Sequence, residues 1–153
     1  MASAMGKVPA VEQQYYYRAA PARVFRALTR RAELEKWFAG TAEVDGREGG
    51  VYRLRWSATA AMNGRVREFV VGRRLSVDWR DRVAGRAYNT RVTFELRRKG
   101  KGTVLRVRHS GLKSGKRWVR FYGEVQAGWA FFLLNLRSVL EHGTDLRDPS
   151  DVG

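Results

Sequence analysis

From residue 41 to about residue 110, apolar side chains recur at every second position, in six short runs broken by turn residues. The runs are "TAEVD", "VYRLRWSA", "RVREFVV", "RLSVDWR", "NTRVTFELR" and "TVLRVRHSG". Within them Tyr52, Leu54 and Trp56 share a face opposite Arg53, Arg55 and Ser57. Leu75, Val77 and Trp79 form a second set, Val92, Phe94 and Leu96 a third, and Leu105, Val107 and His109 a fourth, opposite Arg106 and Arg108. A period of two marks strands with one buried face, and such runs joined by short turns predict an antiparallel meander. "GREGG" and "KGKG" supply turns, and Asn63-Gly64 signals a hairpin. "RVREFVV" reads equally well on either face, which leaves Glu68 unplaced.

The flanks have a different period. "VEQQYYYR" is a first strand, and Pro21 sits where a helix accepts proline in its first turn. Val24, Phe25 and Leu28, then Leu34, Trp37 and Phe38, predict two short helices with a break after Thr29. The last element runs from about Lys116 to His142, where Trp118, Tyr122, Val125, Trp129, Phe132, Leu136 and Leu140 recur at steps of three and four. Gly123 and Gly128 interrupt it, each at up to about 1 kcal/mol relative to Ala. They point to close backbone approach or to a need for room. Gly143 is a natural stop. Seven strands offer one apolar face, and the long helix is the only element large enough to cover it. The expected fold is therefore α+β, a curved seven-stranded antiparallel sheet wrapped around one long C-terminal helix, with two short helices after the first strand. Residues 1–10 are expected as a flexible tail, 11–143 as the domain and 144–153 as a frayed polar tail.

A length of 153 residues suits one domain. The chain has no cysteine, which excludes disulfides, thiolate metal sites and a cysteine nucleophile. No apolar run approaches the roughly 20 residues of a membrane span, and "MASAMGKVPAVEQQ" lacks the apolar stretch of a signal peptide, so a cytoplasmic protein is expected. The formal net charge is +15, and 24 of the 30 basic residues are Arg. Such a charge attracts phosphate backbones, but the basic residues are spread along the whole chain. The arginines of the strands oppose the aromatic face, whereas a base-reading sheet needs exposed rings. Non-specific nucleic-acid binding is the most that this pattern allows, and a solvated basic face is favoured over it.

The order of these elements, with "PARVFRALTRRAELEKWFA", "EVDGREGGVYRLR", "RRLSVDW", "VTFEL", "GTVLRVRHSGL" and "GWAFFLLNLRSVLEHG" in their places, resembles the SRPBCC or START-like superfamily, the helix-grip fold. Within it the chain is similar to homologues of the activator of the heat-shock-protein-90 ATPase. The resemblance implies a cavity between sheet and helix. It does not choose among the lipid carriers, hormone receptors, polyketide cyclases and co-chaperone domains of the superfamily. The high charge and the arginines of "MNGRVREFVVG" depart from the usual family pattern.

The candidate ligand-binding residues are Trp37, Trp56, Trp79, His109, Tyr122 and Trp129. The rings could line a pocket of roughly 300–1,000 Å³ or simply fill the core. His109 could offer a ligand one hydrogen bond or act as a base, although a histidine on an apolar face is more often satisfied within the core. No acid pair is spaced for hydrolysis, and two histidines without cysteine make no metal set. The expectation is non-catalytic binding of a small hydrophobic or amphipathic molecule, with no cofactor, metal or catalytic residue. The alternatives are a protein-interaction domain with a chaperone partner and a polyketide cyclase-like enzyme using His109 and Tyr122.

Overall fold

The computed structural model describes residues 10–83 and 85–148. Strand β1 (Val11–Tyr17) leads into α1 (Pro21–Thr29) and α2 (Arg31–Trp37). Six strands follow: β2 (Thr41–Val44), β3 (Val51–Arg55), β4 (Ala61–Val70), β5 (Arg74–Val83), β6 (Arg86–Lys99) and β7 (Gly102–Ser110). Helix α3 (Lys116–His142) closes the domain. The sheet is antiparallel throughout, in the order β1-β7-β6-β5-β4-β3-β2. This is the expected helix-grip α+β architecture. No helix of the described residues is long and apolar enough to cross a membrane. The expected tail at 1–10 lies outside the described residues except for Ala10.

The alternating runs set the inner face. Leu75, Val77, Trp79 and Val83 of β5, Val92, Phe94 and Leu96 of β6, and Leu105, Val107 and His109 of β7 are all buried. Two buried tyrosines tie the layers together. Tyr17 donates its hydroxyl to the Leu133 carbonyl of α3 at 2.8 Å, and Tyr52 donates to the Leu28 carbonyl of α1 at 2.8 Å. Burial pushes both phenols well above their ordinary value, which keeps them as donors.

Two expectations need correction. Asn63-Gly64 is not a hairpin; both residues lie inside β4, and Gly64 faces Tyr52 of β3. The chain turns between Arg55 and Ala61, where the Trp56 and Ser57 amides donate to the Ala60 carbonyl. The glycine serves close packing instead, since a Cβ there would lie 2.6 Å from the Asp78 carbonyl oxygen. The ambiguous facing of "RVREFVV" has a cause of its own. A bulge between Val66 and Glu68 shifts the register. Met62 and Val66 are buried before it, and Phe69 packs edge-on against Phe25 after it, so inward positions change parity along one strand.

The frayed C-terminal tail is also corrected, for its described part. Arg147 donates to the carbonyls of Ala39 and Glu35 at 3.0 and 2.9 Å and pairs with Asp145. Buried Asn135 of α3 donates to the Trp37 carbonyl at 2.9 Å and to Asp145 Oδ1 at 3.0 Å. It accepts from the Leu146 amide at 2.6 Å. One buried amide thus ties α3, the end of α2 and the tail together. The Asp145 carboxyl is held down to about 2, chiefly by hydrogen bonds from the Arg147 side chain.

Candidate functional site

An open pocket of about 200 Å³ lies between the inner sheet face and the first half of α3. Its walls are the rings of Phe38, Trp56, Trp79, Phe121, Trp129 and Phe132, with Val125 and Gly128 from the helix and Asp81, His109 and Glu124 as polar members. Phe38, at the end of α2, is the hub of these rings. Its ring centroid lies 4.9 to 6.2 Å from those of Phe132, Trp56, Trp129 and Trp79. The aromatic set therefore fills most of the space between the layers, and the residual cavity is smaller than the range expected for a drug-sized ligand. Gly128 keeps it open, because a Cβ at that position would meet nothing within 4 Å. Of the two explanations for helix glycines, room applies here and close approach does not.

Four of the six residues singled out from sequence line this cavity: Trp56, Trp79, His109 and Trp129. Trp37 and Tyr122 do not. Trp37 stacks behind Phe38 at 4.7 Å and donates its indole N–H to the Ala27 carbonyl, so it braces α2 against α1. The Tyr122 hydroxyl accepts from Gln126, whose own side chain accepts from Gln13 of β1. That places Tyr122 in a polar seam beside the cavity.

His109 is 2 % exposed and held from both sides. Trp129 Nε1 donates to Nδ1 at 3.1 Å. An indole can only donate, so Nδ1 is the unprotonated nitrogen and the ring proton is assigned to Nε2. Nε2 lies 2.8 Å from Thr90 Oγ1 and 3.2 Å from Asp81 Oδ2. The one hydroxyl proton of Thr90 has two acceptors in reach, the Trp79 carbonyl at 2.9 Å and Asp81 Oδ2. Trp129 thus donates to His109, and His109 Nε2–H faces both Thr90 Oγ1 and the Asp81 carboxylate. Glu68, which alternation left unplaced, pairs with Arg74 at 3.0 Å. Asp81 and Thr90 escaped the sequence reading, although the signal was present. Continuing the alternation of Leu75, Val77 and Trp79 by one step reaches Asp81, and stepping back from Val92 reaches Thr90.

Both histidine nitrogens are thus occupied by protein groups, which leaves the imidazole no free lone pair to offer a ligand. The group left with open valence is Asp81, since the hydrogen bonds to its carboxylate among the described residues fall on Oδ2. A second depression, of about 480 Å³, shares Trp56, Trp79, Asp81 and Phe121 with the first. It lies where β4 and β5 cease to pair beyond Arg65 and Asp78 and gives the Asp81 side of the cavity an approach from solvent. Among the described residues no three His, Asp or Glu side chains converge as a metal set.

Several of the outward arginines are paired. Arg74 bridges Glu68 and Glu95, Arg67 and Arg91 flank Asp78, and Arg106 and Arg108 flank Glu12. The sheet exterior is a laced mosaic of both signs, with the large rings on the other side.

The antiparallel sheet gripping one long helix, with a ring-lined cavity between them, defines a helix-grip domain of the SRPBCC superfamily. The family model for the activator of Hsp90 ATPase homolog 1-like proteins matches residues 18–141, and the chain belongs to that family. No curated protein matches the sequence. Among solved structures, the Aha1 dimer from Colwellia psychrerythraea is similar at 21% identity and a TM-score of 0.79, over 90% of this chain and 99% of that one. A protein from Mesorhizobium loti is similar at 24% identity and a TM-score of 0.78, over 90% and 99%. DynU16, from the dynemicin biosynthetic locus, is similar at 21% identity and a TM-score of 0.78, over 93% of this chain and 51% of that one. At such identities the likeness shows the fold.

Proposed function

We propose that this domain binds a small, mostly apolar molecule with one polar group in the cavity beneath α3, without catalysing a reaction on it. The observation that carries the reading is the ring-lined space of about 200 Å³ ending on a polar wall of Asp81 and His109. An apolar cavity of about 150 Å³ holds a benzene-sized body, so the fitting ligand is one ring or the equivalent, or the end of a longer molecule reaching in past Asp81. The binding residues are Trp56, Trp79, Trp129, Phe38 and Asp81. His109 acts as the member that aligns Trp129 and Asp81. A cyclase-like role is disfavoured because the imidazole has no nitrogen to spare.

The test is native mass spectrometry of the purified protein alongside a Gly128→Leu variant. The cavity reading expects a co-purified or added small aryl ligand on the wild type and none on Gly128→Leu, whose new side chain fills the space. Gly123→Leu, on the exposed side of the helix, should bind as wild type. Equal occupancy of Gly128→Leu and wild type would place the ligand elsewhere.

A second reading is a cytoplasmic partner domain for a chaperone. The family description supports it, as do Phe131 and Leu134, which stand 45% and 44% exposed one helical step apart on the outer side of α3. Phe131→Ser with Leu134→Ser should abolish such a complex in a pull-down and leave the cavity ligand in place.

A further inference from the structure

We propose that the cavity selects organic cations: a protonated amine or quaternary ammonium carried on an apolar body of about one ring. The inference rests on the cavity being a ligand site and adds the charge of the ligand. In a chain with a net charge of +15, the formally charged side chains lining this cavity are both acidic, Asp81 and Glu124. Glu124 is a rim residue, 60% exposed and paired, among the described residues, with the solvent-facing Arg120. Asp81 is the inner one, with a side chain 11% exposed.

Asp81 differs from most carboxylates of the molecule in what it faces. The acids of the sheet exterior are matched by arginines. The ion-pair partner of Asp81 is His109, and the Trp129 indole donating to Nδ1 requires that nitrogen to be bare. A doubly protonated ring would set two N–H groups against each other. The imidazole therefore contributes a hydrogen bond and no positive charge, and among the described residues no arginine or lysine forms an ion pair with the carboxylate, although Arg80 and Arg82 line the adjoining depression. The protein groups that approach this carboxylate, Thr90 Oγ1 and His109 Nε2, both do so at Oδ2. Oδ1 is the open acceptor.

Six aromatic rings line the cavity that this carboxylate borders. Aromatic faces attract cations through the ring quadrupole, and a carboxylate set among rings does so more strongly than one in water. The two effects favour the same guest and disfavour an anion. The net positive charge of the molecule opposes the approach of a cation, but that field is screened beyond about 8 Å at physiological salt. The contact terms at Asp81 are not. Cation affinity should accordingly hold or rise as salt is added, opposite to the behaviour of a phosphate-backbone contact.

The test uses three probes of similar shape at neutral pH: benzylamine, which is cationic, benzyl alcohol and benzoate. The readout is the Trp129 indole N–H resonance of the full chain, followed by NMR titration. Benzylamine should bind at least about tenfold tighter than benzyl alcohol, in keeping with a desolvated cation among rings, and benzoate should bind weakest. Asp81→Asn keeps an acceptor for Thr90 and His109. It should bring benzylamine down to the affinity of benzyl alcohol and leave benzyl alcohol within about twofold of wild type. If Asp81→Asn does not fold, the wild-type probe series decides alone. Benzyl alcohol binding as tightly as benzylamine would overturn the cation preference and leave the cavity reading standing, as would benzoate binding tightest. Failure of all three probes to bind would overturn both.

Discussion

The two halves of α3 are held differently. From Trp129 onward the helix is gripped: Trp129, Leu133, Asn135 and Leu136 are buried, Tyr17 reaches up to the Leu133 carbonyl, and Arg137 donates to the Tyr16 carbonyl. Before Trp129 the helix touches down at Trp118, which packs edge-on against Tyr88 at 4.9 Å, and then stands off. From Val119 to Gly128 no residue is fully buried; Phe121, Tyr122 and Val125 pack half-buried against the core, and Gln13 of β1 donates to both the carbonyl and the side-chain oxygen of Gln126. The cavity lies under this raised half. One helix thus does two jobs. Its second half closes the core, and its first half roofs a space that the core does not fill. Local opening is set by how much apolar surface and how many buried hydrogen bonds a segment must give up. The first half should therefore open far more readily than the second and admit a ligand without unfolding the domain.

The largest test of this contrast is a pair of truncations. Trp129→Ala should lower stability by about 3–5 kcal/mol, the range for large buried aromatics, whereas Val125→Ala should change it by under about 1 kcal/mol. Urea denaturation of both variants is the check, and similar midpoints would mean that the two halves pack alike. Next comes the tether. Tyr17→Phe leaves the Leu133 carbonyl without its buried donor and should cost about 1–3 kcal/mol. Amide exchange should then quicken in residues 129–142 and stay as it was in 117–127, since only the gripped half loses a partner.

A pH test follows. Asp145 is held down to about 2 by Arg147, against an ordinary 3.8. A depressed carboxyl stabilises the fold above its unfolded value and loses that contribution as pH falls through the folded one. The clasp that anchors the end of α3 should therefore weaken between about pH 4 and pH 2. Asp145→Asn should flatten the fall in thermal midpoint over that window; an unchanged slope would assign the fall to other acids. The smallest effect is a gain. Gly123→Ala meets nothing within 4 Å and should stabilise by up to about 1 kcal/mol through helix propensity alone. It should also slow amide exchange in the raised half without altering the cavity.

Much of this could be read from sequence at the level of elements and faces. Alternation placed Trp79, Phe94 and His109 on the inner face correctly, because a strand has only two sides and an apolar neighbour identifies the buried one. It misled at Asn63-Gly64, where a turn-forming dipeptide serves a close strand crossing, and it could not place Glu68, where one bulge reverses the parity. The candidate site was half legible. Trp56, Trp79, His109 and Trp129 announced themselves as rings on the right faces. Asp81 and Thr90 did not, since a lone acid or hydroxyl at a strand end reads as solvent-facing until its partner on the next strand is known.

What the sequence by itself determined is the order of the elements, which face of each is apolar, and that one long helix must cover one sheet. These follow from periodicity, and periodicity is local. The tertiary structure decided where the helix sits down and where it stands off. It also decided that His109 points both nitrogens at protein partners, that Asn135 and Arg147 clasp the tail, and that Asp81 is the open group in the cavity. Each of these depends on pairs of residues far apart in the chain, Trp129 with His109 or Arg147 with Ala39. Their meeting is fixed by sheet register and by the volume of the Phe38 cluster, which no run of neighbouring residues encodes.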